Sequence, residues 1–155
     1  MSLICIGVAS LPTTSLFSVS LEKIAQISKE FNRGIFFELD WTEPIFEKIP
    51  SDTLKFYVTD SVTSANCEML FLPDNWFYNG RTNSQSFDER MAFLTEISKV
   101  FTANGVALEL YIGTSGSLHD EYESVSATPA SLIPILQNTI GVNGTDTAVH
   151  FVIHP

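Results

Sequence analysis

SFDERMAFLTEISKVFTANGVALELYI, residues 86–112, decides the fold, because its signals for a helix, a stop and a strand agree. Ser86 and Glu89 match the S-x-x-E capping box, in which each side chain satisfies an orphan amide at a helix start. Phe87, Met91, Leu94, Ile97 and Phe101 repeat at the helical period, and Asn104-Gly105 supplies a left-handed stop. Val106, Leu108, Leu110 and Ile112 then alternate with Ala107, Glu109 and Tyr111, which predicts a strand with one wholly apolar face.

The same grammar extends outward. Leu3 to Ala9 reads as a buried strand. Ser20 caps a helix whose stripe is Leu21, Ile24, Ile27 and Phe31, and which stops at Asn32-Arg33-Gly34 before a strand over 35–39. A G-x-x-x-E-L frame therefore occurs twice, at Gly34 to Leu39 and at Gly105 to Leu110, each time after a helix. Thr53 to Thr59 and Cys67 to Leu72 read as strands, and the short Ser- and Thr-rich connection between them predicts a hairpin. Residues 113–128 read as irregular. Leu132, Ile133, Leu136 and Ile140 predict a last short helix, and 148–153 a closing strand with Val149, Phe151 and Ile153 on its core face.

This order predicts a single α+β domain over residues 1–155. Its sheet is expected to be mixed or mostly antiparallel with helices packed on one face, and a ferredoxin-like core with extra elements is the first expectation. In that arrangement Glu38 and Glu109 would sit near opposite sheet edges, where carboxylates discourage edge-to-edge association. Cys5 and Cys67 lie in apolar runs and are expected to be buried free thiols, as suits a reducing compartment. The apolar start of the chain lacks a basic region and reads as a strand, not a signal peptide, and no run approaches a membrane span. The expected location is the cytoplasm.

Charge is the strongest global feature. Eight Lys and Arg face eighteen Asp and Glu, a formal net charge of −10, which argues against direct nucleic-acid binding. Lys99 is the last fixed cation, whereas Glu109, Asp120, Glu121, Glu123 and Asp146 follow it.

Few motifs point to catalysis. Gly113-Thr-Ser-Gly116 has no lysine after its last glycine, and Ser117 stands where a nucleophile elbow needs glycine. His150 and His154 share a strand face about 13 Å apart, too far to bind one ion, so no metal and no cofactor is expected. Glu38 and Asp40 point to one side of a strand with Glu43 nearby, a spacing found in acid–base pairs. Trp41 and the run Trp76-Phe77-Tyr78 fall in turns. There, large rings beside carboxylates make the anchors and charged rim of a protein interface.

The composition therefore predicts a non-enzymatic acidic protein that binds and neutralises a basic protein, as bacterial immunity proteins do with nuclease toxins. Asp40, Trp41, Glu43, Trp76, Tyr78, Asp120, Glu121 and Glu123 are the expected contact residues. The competing expectation is a small α+β enzyme or metabolite-binding domain with a carboxylate site near Glu38, Asp40 and His119.

Overall fold

A computed structural model describes residues 2–9, 14–36, 53–59, 68–70, 77–78, 81–113, 123–140 and 148–155. Strand β1 (Ser2–Ala9) leads into helix α1 (Thr14–Phe31) and strand β2 (Gly34–Phe36), and β3 (Leu54–Thr59) and β4 (Glu68–Leu70) follow. A two-stranded ribbon of β5 (Phe77–Tyr78) and β6 (Arg81–Thr82) runs directly into α2 (Asn83–Thr102) and β7 (Leu108–Gly113). The chain then forms β8 (Glu123–Ala127), α3 (Leu132–Thr139) and β9 (Val149–Ile153).

The main sheet has the order β2-β3-β1-β7-β9-β8, with β4 also on β1. Every pairing is antiparallel except β8 with β9, so the sheet is mixed and the fold is α+β. Its three described helices lie side by side on one face. Cys5, Ala9, Phe56, Val58, Leu108, Leu110, Ile112, Val149, Phe151 and Ile153 pack there against Ile24 of α1, Leu132 and Leu136 of α3, and a wide face of α2. Helix α2 is the keystone, since Phe87, Met91, Phe93, Leu94, Ile97, Val100 and Phe101 are all buried. Phe93 meets Phe31 of α1 with ring centroids 5.6 Å apart, and Phe101 stacks on Phe56 at 5.8 Å. The other sheet face is also shielded: Ile4, Ile6, Val8, Tyr57 and Tyr111 are buried on it, away from the helices.

Several expectations need correction. Helix α2 begins at Asn83, so Ser86 lies inside it, and Glu89 turns to Arg33 instead of closing a capping box. Helix α1 likewise starts at Thr14 and passes through Ser20. Its left-handed stop is Asn32 (φ 53°), whereas Gly34 is already in β2; Gly105 (φ 74°) ends α2 as expected. β3 and β4 form no hairpin. Both run antiparallel to β1, so they point the same way, and Ile4 pairs with Glu68 on one side and Gly113 on the other, which puts β4 on the edge that β3 occupies. Glu109 is not at an edge, because β7 lies between β1 and β9. Finally, residues 123–127 are a strand, not an irregular stretch. Val125 is their one large apolar residue, so the strand owes its existence to pairing with β9 more than to its own propensity.

Cys5 is a free, buried thiol, and Cys67 lies outside the described residues. No helix among the described residues is long and apolar enough to cross a membrane.

Candidate functional site

Strands β7, β9 and β8 lie next to one another, and their outward residues meet on the sheet face opposite the helices. Antiparallel register sets Tyr111 opposite His150, and parallel register sets Ser124 opposite the same histidine on its other side. Glu109, two residues before Tyr111, reaches His150 along the diagonal. Among the described residues, one imidazole thus gathers Glu109, Ser124 and Tyr111 around it. Its Nε2 lies 2.8 Å from Glu109 Oε1, its Nδ1 lies 2.9 Å from Ser124 Oγ, and its ring stacks on Tyr111 with centroids 4.3 Å apart and planes 15° from parallel.

The hydrogen-bonding inventory selects one tautomer of the neutral ring. A carboxylate only accepts, so in the neutral imidazole the proton sits on Nε2 and is donated to Glu109. That leaves the Nδ1 lone pair to accept from the Ser124 hydroxyl. Exposure grades across the site: the His150 side chain is 11 % exposed and Glu109 38 %, while Ser124 is open to solvent. A hydroxyl facing solvent is therefore backed by a base, and the base is oriented by a carboxylate. Among the described residues no three His, Cys, Asp or Glu side chains come close enough to hold a metal ion.

A sizeable groove lies elsewhere. A groove of about 510 Å³ runs between α1 and β2, lined by Leu21, Ile24, Ile35 and Phe36 with Lys29 and Arg33 at its polar positions. Its charged groups are cationic, so it does not suit a basic partner.

Of the residues singled out in the sequence, Asp40, Trp41, Glu43, Trp76, Asp120 and Glu121 lie outside the described residues, as do Glu38 and His119. For Tyr78 and Glu123 the backbone alone is described. Tyr78 closes β5, and Glu123 opens β8, one residue before Ser124.

No family model, curated protein or solved structure matches this chain. The site therefore has to be judged on its own geometry. Sequence reasoning placed Glu109 and His150 on outward strand positions but did not join them, and it missed Ser124. The signal was present only in part: Glu109, Tyr111 and His150 are polar or aromatic positions alternating with core residues on strands. Their convergence requires knowing that β9 inserts between β7 and β8.

Proposed function

We propose that this protein is a cytoplasmic acidic binder that acts on a basic protein partner by neutralising it rather than by chemistry, in the manner of an immunity protein against a bacterial nuclease toxin. In this reading β1, α1, β2, β3, α2 and β7 form a ferredoxin-like core, and β8, α3 and β9 extend it into an anionic flank. One observation carries the proposal. All eight Lys and Arg precede residue 100, and the strands after it, β7, β9 and β8, occupy one end of the sheet. The described strands of that end therefore carry Glu109 and Glu123 and no Lys or Arg.

The partner's chemistry follows from that imbalance. A nuclease must present cations to hold phosphates, so a flank whose carboxylates are not offset by any Lys or Arg attracts it and covers the same site. The contact residues in this reading remain Asp40, Trp41, Glu43, Trp76, Tyr78, Asp120, Glu121 and Glu123. The proposal excludes direct nucleic-acid binding, because the flank repels phosphate.

The test is growth rescue of cells that express basic nuclease-toxin domains, with association of each purified pair measured at rising salt. Rescue is expected, with association slowed by salt and slowed further by reversing Asp120, Glu121 and Glu123 to lysine. Absence of rescue, or association indifferent to both salt and charge reversal, overturns the reading.

A further inference from the structure

We propose that Ser124 is a nucleophile, activated by His150 and Glu109, that reacts with activated esters on the sheet face opposite the helices. This activity is independent of partner binding, since it rests on the hydrogen-bond geometry and not on net charge.

Three features are needed to turn an ordinary hydroxyl into a reactive one, and each is present. The base must face the hydroxyl with a lone pair. Ser124 Oγ lies 2.9 Å from His150 Nδ1, the nitrogen that bears the lone pair in the neutral ring whose Nε2 donates to Glu109 at 2.8 Å. The base must also be held in one orientation. Glu109 fixes the in-plane rotation of the imidazole, and Tyr111, stacked at 4.3 Å, fixes its plane. Lastly, the hydroxyl must be reachable, and Ser124 is exposed on the last strand in the sheet order. The Glu109 carboxylate then stabilises the imidazolium formed when the proton moves.

The step balances without an added oxidant or cofactor. Ser124 Oγ attacks the acyl carbon, a C–O bond forms, and the serine proton passes to His150 Nδ1. The bond to the leaving oxygen breaks, and the imidazolium returns the proton to the departing oxyanion. Water then attacks the acyl group, giving a proton through His150 back to Ser124 Oγ and releasing the carboxylic acid. A base alone suffices where the leaving group departs with little assistance, so the substrate class is an aryl or comparably activated ester and not an amide.

Ser126 provides an internal control. It is exposed and lies two residues along the same strand, so it shares the face of Ser124. The experiment treats the full chain with a tagged fluorophosphonate, in which the serine oxygen forms a bond to phosphorus as fluoride leaves. The modified residue is located by peptide mass spectrometry, and thermal midpoints are recorded in parallel. Ser124 should be modified at least tenfold faster than Ser126, and H150Q and E109Q should each slow it at least tenfold while the midpoint is kept. Should H150Q fail to fold, E109Q carries the comparison, because its side chain sits at the solvent boundary. Equal modification of the two serines, or an undiminished rate in either folded variant, overturns the proposal.

Discussion

Gly7 lies beneath the ring of Phe56, so close that a Cβ on its backbone would overlap the ring atoms Cζ, Cε1 and Cε2. The two residues face each other across β1 and β3, and the Phe56 ring is sandwiched by Phe101 of α2. Glycine is needed here for space, in a strand where it would otherwise weaken packing. The ring cannot give way, because Phe56 and Phe101 are both fully buried. Gly7→Ala is expected to cost about 1–3 kcal/mol, read as a lower denaturant midpoint. Phe56→Leu in the Gly7→Ala background should recover part of that loss, whereas simple additivity of the two would contradict the contact.

Arg33 and Glu89 join the end of the first helix–strand connection to the keystone helix. Arg33 Nη2 donates to Glu89 Oε2 at 3.1 Å and to the Ser86 carbonyl at 3.5 Å, from a guanidinium side chain only 6 % exposed. Because the Glu89 side chain is 36 % exposed, solvent screens part of the attraction, and Glu89→Gln should cost about 1–2 kcal/mol. The Lys99 to Glu96 pair is the contrast: it is shorter, at 2.8 Å, but both side chains are well exposed. Glu96→Gln should leave the midpoint unchanged. Equal effects of the two substitutions in chemical denaturation would contradict the distinction.

Cys5 is fully buried in the helix-facing layer, and burial pushes its thiol pKa up, since a thiolate there would lose its hydration. In the folded chain it should resist thiol reagents until the sheet opens, as followed by mass spectrometry of its peptide. The linkage has a definite sign. An unfolded chain releases the thiol proton above about pH 8.5 and the folded chain does not, so the unfolded state binds fewer protons and stability falls as pH rises. Above that pH the wild type should lose about 1.4 kcal/mol per pH unit more than Cys5→Ala. Parallel stability profiles for the two proteins would show that the thiol is not held in this way.

Legibility followed the origin of each signal. The α2 to β7 unit is written locally, in the spacing of Phe87 to Phe101 and the left-handed Gly105, and it appears as the sequence implies. Its start did not, because the Ser86 and Glu89 pattern is real but Glu89 is taken by Arg33, 56 residues away in the chain. Strand β8 was hidden because Ser124 and Ser126 have no intrinsic pull toward a strand; β9 supplies it. The false hairpin of β3 and β4 has the same cause. A short polar connection suggests reversal, but β1 dictates direction and lines the two up head to tail. Outward residues of β7 and β9 could be picked out one at a time, yet their meeting at His150 depends on strand order, which no local pattern carries.

β1 hydrogen-bonds to three other strands, and its most extensive partner is also the most remote: Cys5 is set against Ile112 and Ala9 against Leu108. Its apolar stripe is thus synthesised long before the residues that will shield it, and the loop that must close is among the longest in the molecule. During that interval the sticky segment has β3 and β4 on one edge and the first two helices on one face, while its other edge stays open. The long separation of β1 from β7 predicts that docking of β7 limits folding, and that concentrated conditions trap copies through the open edge of β1 when it is delayed.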